Sequence, residues 1–199
     1  MASVTNFPGL GYNSGPTVNW TNPNNVLSSD NVYATVTLSP GYPSNSVSNY
    51  DRVDDFGFSI PATATINGIV CTVERKASSA SAIRDFSVVI IKDGTPTGND
   101  KKDTSTYWST TEGEVSYGSP TDLWGTTWTP SNINHPDTGF AVRCEYVPAY
   151  NSATAYIDSM KMTVYYTVDG MQFGTTAISK IYYGSTEIQA IYYGSTQLA

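Results

Sequence analysis

Charge is scarce in this chain. Only 14% of its 199 residues are Asp, Glu, Lys or Arg, against roughly 25% in ordinary globular domains. A helical protein needs Glu, Lys and Arg along its outer faces, so this scarcity argues against a mainly helical fold. Strands can face water with Thr, Ser and Tyr instead, and these are abundant here. Positive charge is scarcer still: 10 Lys and Arg stand against 17 Asp and Glu, a formal net charge of −7. Lys101-Lys102 and Arg75-Lys76 are the basic pairs on offer, too little to neutralise a run of phosphates, so no nucleic-acid partner is expected. No Lys or Arg precedes Arg52 and no long apolar run occurs. Both facts argue against a conventional signal peptide and against membrane insertion. The expected setting is export without such a signal, or assembly into a particle released by lysis.

Cysteine and histidine are nearly absent as well. Cys71, Cys144 and the lone His135 lack the ligand count and spacing of a zinc site, so neither metal nor cofactor is expected. Both cysteines lie in alternating apolar runs and are expected inside one core. Buried free thiols are the preferred reading, and a disulfide between them is the alternative.

What is present points to strands. Residues 1–31 are rich in Asn, Pro, Gly and Ser, with turn signals at Pro8-Gly9, Gly15-Pro16 and Asn22-Pro23. They read as an extended arm with loops, anchored by Phe7, Leu10, Tyr12 and Trp20. From residue 32 to 168 short runs of β-formers alternate with turn chemistry. Strands are predicted over Tyr33–Leu38, Asp55–Ile60, Ile66–Arg75, Ile83–Lys92, Phe140–Tyr146 and Ala155–Thr167. Phe140, Val142, Cys144 and Tyr146 share one face, as do Met160, Met162 and Val164, and Ile69, Cys71 and Val73. Six or more such strands imply two stacked sheets. The predicted fold is all-β, a jelly-roll-like β-sandwich with an extended N-terminal arm and a short C-terminal β-repeat. Thr129-Pro130 predicts one short helical turn, with Thr as its cap and Pro as its first residue.

The tail, residues 169–199, is a repeat. Met171-Gln172-Phe173-Gly174-Thr175-Thr176-Ala177-Ile178-Ser179-Lys180 aligns without gaps on the ten residues from Ile181 and again on those from Ile191. Gly174, Gly184 and Gly194 recur at a period of ten, each followed by Ser or Thr and then Thr. A glycine fixed in every unit suggests a turn, with strands such as Glu187–Tyr193 between turns. Three such units cannot bury a core alone, and Ile181, Tyr182, Tyr183, Ile191, Tyr192 and Tyr193 need a partner surface. Another chain is the favoured partner, which makes these residues the candidates for assembly.

Tandem units of this Ile-Tyr-x-Gly-Ser/Thr-Thr form resemble the short C-terminal repeats of tailed-bacteriophage virion proteins. The region 20–167 is similar to β-sandwich modules of phage structural proteins through Trp20-Thr21-Asn22-Pro23, Asp30-Asn31-Val32-Tyr33-Ala34, Phe56-Gly57-Phe58-Ser59-Ile60-Pro61, Ile66-Asn67-Gly68-Ile69 and Asp122-Leu123-Trp124-Gly125. The resemblance implies a virion part assembled in the bacterial cytoplasm: a capsid decoration, a head or tail fibre, or a baseplate appendage. Its partners would be copies of itself, a trimer included, and other virion proteins.

Three functions follow as expectations. The first is a non-enzymatic structural virion component attached through its repeats or its N-terminal arm. The second is a receptor- or glycan-binding module, because Tyr107, Trp108, Tyr117, Trp124 and Trp128 fall in one stretch and could stack on sugar rings of a host surface glycan, with Asp122 or Asn132 accepting from hydroxyls. Core packing of the same aromatics is the simpler reading. The third is a polysaccharide-degrading enzyme, which needs two carboxylates about 5–10 Å apart; Glu112, Glu114 and Asp122 could supply a pair, but no sequence pattern selects them. His135 with Asp137 lacks a serine elbow, and no catalytic residue is assigned. Asp93, Asn99, Asp100 and Asp103, like Asp51, Asp54 and Asp55, read as solvated loop acids, since they lack the order of a calcium loop.

Overall fold

The computed structural model describes residues 1–148 and 151–168, and in the tail residues 172–173, 176–177, 180, 182–183, 185–188, 192–193 and 196–197. Its main body contains the strands β1 (Ala2–Asn6), β2 (Leu10–Ser14), β3 (Ala34–Leu38), β4 (Tyr50–Asp54), β5 (Ala64–Ala77), β6 (Ile83–Lys92), β7 (Thr95–Thr97), β8 (Gly113–Gly118), β9 (Gly139–Tyr146) and β10 (Ala153–Val168). They form two antiparallel five-stranded sheets. One has the order β1-β10-β5-β8, with β3 also pairing β10, and the other β2-β4-β9-β6-β7. Successive strands cross from one sheet to the other, as in a jelly roll, except where β6 turns directly into β7. That hairpin places Asp93 and Gly94 at φ 50° and 84°, the two positive values a two-residue turn of this hand requires. Among the described residues, no helix is long and apolar enough to cross a membrane.

The alternation read from the sequence builds the core. Ile69, Cys71 and Val73 from β5, Met160, Met162 and Val164 from β10, and Phe140, Val142 and Cys144 from β9 are all fully buried between the sheets. Both cysteines are free thiols. Burial pushes the Cys144 thiol up to about 12 and the Cys71 thiol well above its ordinary value, because neither thiolate could be solvated there. The short helix α1 (Pro130–Ile133) starts where Thr129 caps it: the Thr129 hydroxyl accepts from the Asn132 amide at 3.2 Å.

Three expectations change in detail. The N-terminal segment is extended and looped, but bound in: β1 pairs β10 and β2 pairs β4, so it lends one edge strand to each sheet. Trp20 is buried and donates its indole N–H to the Asn49 carbonyl at 2.8 Å. The strand expected at Asp55–Ile60 lies one segment earlier, at Tyr50–Asp54. Residues 55–60 are irregular because Asp55 and Gly57 take positive φ, 58° and 61°, which no strand permits. In the tail, each repeat closes on itself: Tyr183 pairs Thr186 and Tyr182 pairs Glu187, with like pairs in the units on either side. The pairing therefore brackets the glycine of one unit instead of running as one strand through Glu187–Tyr193, since Ile188 is not in a strand. Ile181 and Ile191 lie outside the described residues, as does the boundary expected at Asp169-Gly170.

Candidate functional site

The aromatic stretch singled out in the sequence is organised by one buried carboxylate. Asp85 lies at a bulge in β6, its side chain fully buried, and a charge in that position requires partners. It accepts from Arg75 of the opposite sheet at 2.5 Å, from the Trp108 indole N–H at 2.8 Å, from the Tyr117 hydroxyl at 2.8 Å and from the Asp103 amide at 3.1 Å. The Arg75 guanidinium lies 4.3 Å from the centroid of the Trp108 ring and also donates to the Tyr117 oxygen. A charged, hydrogen-bonded clasp thus joins β5 and β8 of one sheet to β6 of the other.

This clasp changes the expected stacking face. Trp108 and Tyr117 are spent on Asp85 and are buried. Trp124 is fully buried and donates to the Ile69 carbonyl, and Trp128 is buried and donates to the Leu123 carbonyl. All four rings are buried, Trp108 meeting the surface with only 2% of its area, so none offers an open face to a ligand. Tyr107 alone of the five lies at the surface, 36% exposed.

Tyr107 borders a half-open cleft of about 410 Å³ between the 103–111 segment and the start of β8. Trp108 and Arg75 reach it from the clasp, Thr106, Ser109 and Thr111 contribute hydroxyls, and Glu112 and Glu114 contribute carboxylates. The segment keeps its shape through Asp103, which accepts from the Ser105 amide and hydroxyl and from the Thr106 amide; these bonds hold its carboxyl well below the usual range. Glu112 is ion-paired with Lys76 at 2.8 Å, which lowers its pKa, and Glu114 with Lys161 at 2.5 Å. The cleft is therefore lined by a surface tyrosine, by residues that carry hydroxyls and by two glutamates whose charge is balanced by lysine.

The other nominated groups are elsewhere and engaged. Asp122 is paired with Lys101 and accepts from the Trp124 amide; burial opposes its ionisation, but these two partners outweigh it and lower its pKa. Asn132 is used in capping α1 and in binding Asp93. His135 is exposed and accepts at Nδ1 from the Asp137 amide. Asp93, Asn99, Asp100 and Asp103 do not converge: Asp100, for instance, accepts from Ser87 and the Val88 amide. The hydroxyl wall of the cleft was visible in the run Thr104-Ser105-Thr106-Tyr107-Trp108-Ser109-Thr110-Thr111, although only its aromatics were nominated. A second, smaller cleft of about 260 Å³ lies beside Tyr42, 71% exposed, over the Arg84–Glu145 ion pair. Nothing in the sequence near Tyr42 signalled it.

No protein-family model matches the chain, and no curated protein matches it. Among solved structures it is similar to one described as CBM4 structure and function, at 13% identity over 76% of this chain and 91% of that chain, with a TM-score of 0.40. It is also similar to the N-terminal cellulose-binding domain from Cellulomonas fimi β-1,4-glucanase C, at 12% identity over 69% and 90% of the two chains, with a TM-score of 0.28.

Proposed function

We propose that this chain is a non-catalytic glycan-binding module whose recognition surface is the Tyr107 cleft. The observation behind this reading is the composition of that cleft: a surface tyrosine ring flanked by Thr106, Ser109 and Thr111, with Glu112 and Glu114 each balanced by a lysine. A sugar ring presents C–H bonds on its face and hydroxyls around its edge. The first suit an aromatic ring, and the second suit hydroxyls and carboxylates that accept without adding net charge. The same lysines weigh against hydrolysis, because a general acid must hold a proton that a paired ammonium favours losing.

A second reading is favoured by the tail. Three successive units each close their own small hairpin, and hairpins of this size are marginal unless they dock on something. That supports a structural virion component which self-associates or attaches to neighbouring virion proteins through the repeats. The two readings are compatible, the sandwich recognising and the repeats tethering. Affinity electrophoresis through gels containing neutral or acidic polysaccharides tests the first. The intact chain should be retarded by at least one polysaccharide, and Tyr107→Ala should migrate freely. Retardation unchanged in Tyr107→Ala would remove the cleft from the account, and release of reducing sugar would turn the reading to an enzyme.

A further inference from the structure

The outer face of the first sheet carries a feature that glycan binding does not use. Register along β10 and β5 sets Ile157 opposite Arg75 and Ser159 opposite Glu74, so Asp158 is the extra residue of a β-bulge. Bulges re-aim side chains. Here the bulge directs Asp158 under the 27–33 segment, which crosses the sheet with Leu27 bridged to Ser159. Asp158 is 1% exposed, and neither of its carboxylate oxygens accepts a hydrogen bond of ordinary geometry; the backbone of Asp30 and Asn31 faces it without closing one. One carboxylate oxygen each from Glu74, Glu112 and Asp158 lie within 4.8 Å of one another. Lys76, which bonds Glu112 and the Tyr33 hydroxyl, is the cation beside them. Three carboxylates and one ammonium leave two negative charges concentrated around a buried, unpartnered group.

We propose that Glu74, Glu112 and Asp158 form a binding site for a hard divalent cation of the calcium class. Oxygens bound to calcium at about 2.3–2.6 Å are separated by up to about 5 Å, the spacing these three present. An all-oxygen donor set suits calcium rather than zinc or copper, and the cation's two charges balance the excess. Bound there, it would tie the bulge of β10, the strand β5 and the segment leading into β8 to one another. Glu112 also lines the Tyr107 cleft, so the cation would fix one cleft wall, although the site stands independently of any glycan.

Terbium luminescence on the intact chain is the direct test, because the rings of Tyr33 and Tyr156, 5.7 Å apart beside Lys76, can sensitise a lanthanide in this position. After EDTA treatment and its removal, terbium should give tyrosine-excited emission that calcium displaces. Calcium should also raise the melting temperature by several degrees. Asp158→Asn and Glu74→Gln should each weaken both responses at least tenfold, while Asp137→Asn, at an exposed carboxylate elsewhere, should leave them intact. Asp158→Asn should fold, and should melt higher than the parent chain in EDTA, since it removes a buried unpaired carboxylate. Absence of both responses up to about 10 mM calcium, beyond the weak end of natural calcium modules, would overturn the proposal. So would undiminished responses in Asp158→Asn and Glu74→Gln.

Discussion

Replacing Asp85 by Asn tests the clasp that shapes the cleft from beneath. The substitution keeps the size of the side chain, but Trp108 and Tyr117 donate to different oxygens of Asp85, so the single amide oxygen can go on accepting from Trp108 while the Tyr117 hydroxyl turns to accept from the new amide N–H. What it removes is the counter-charge of Arg75, which is 7% exposed and enclosed by Trp108 and Tyr117. Leaving one member of a buried ion pair uncompensated costs about 3–5 kcal/mol, a large part of the roughly 5–15 kcal/mol that holds a domain folded. At about 2–4 °C per kcal/mol for a chain of this size, the melting temperature should fall by about 6–20 °C. Urea unfolding should show a lower midpoint with an unchanged slope, because the surface exposed on unfolding is the same. The double variant Arg75→Met with Asp85→Asn removes both charges and leaves no ion buried without its partner, so it should be more stable than Asp85→Asn alone. A cost below about 1 kcal/mol for Asp85→Asn, or a double variant less stable than the single one, would refute the clasp.

Other consequences are as direct. Asp51 is fully buried with neither oxygen hydrogen-bonded, and burial raises its pKa well above the ordinary value. A folded-state pKa above the unfolded one means the native state holds the proton more tightly, so stability is greatest below the unfolded pKa and falls as pH rises through the folded one. Asp51→Asn should flatten that fall in pH-dependent urea titrations and stabilise the chain at neutral pH by about 1–3 kcal/mol; an unchanged slope would mean Asp51 is solvated. Cys71 and Cys144 should resist thiol reagents in the native state and react fully in denaturant, and rapid native labelling would contradict their place in the core. Deleting Met171–Ala199 should leave a cooperatively melting sandwich while reducing self-association by sedimentation; replacing Tyr182, Tyr183, Tyr192 and Tyr193 by Ser should weaken association to a similar degree. Loss of folding in the deletion would show that the repeats complete the main core.

How much of this was legible in the sequence depends on the range of the forces involved. Strands with one apolar face announce themselves, and β6 has the bounds predicted for it, Ile83–Lys92. Edge strands do not: Ala2–Asn6 is mostly exposed and Leu10–Ser14 contains a glycine and two polar residues, so neither shows alternation, and both are held by backbone pairing together with long-range side-chain bonds such as Asn6 to the Phe56 carbonyl and Tyr12 to Asp54. β4 was missed for a different reason. Its inward residues are Asp51 and Val53, and a buried aspartate reads as loop chemistry. The five aromatics were found as a group, but burial of an indole is decided by distant acceptors such as the Ile69 carbonyl and Asp85, which no local pattern reveals. Glu74, Glu112 and Asp158 are far apart in the chain and are brought together by register and a bulge, so spacing rules written for contiguous metal loops pass over them.

The central claim is that the Tyr107 cleft binds a glycan without cleaving it. Isothermal titration calorimetry measures this most directly, using the oligosaccharide unit of whichever polysaccharide retards the intact chain, on that chain and on Tyr107→Ala. The account predicts a saturable heat at one site per chain, a loss of at least tenfold in affinity on removing the ring, about 1.4 kcal/mol or more, and an intact ligand recovered at the end of the titration. Equal affinity in the two proteins, or a shortened ligand, would contradict it.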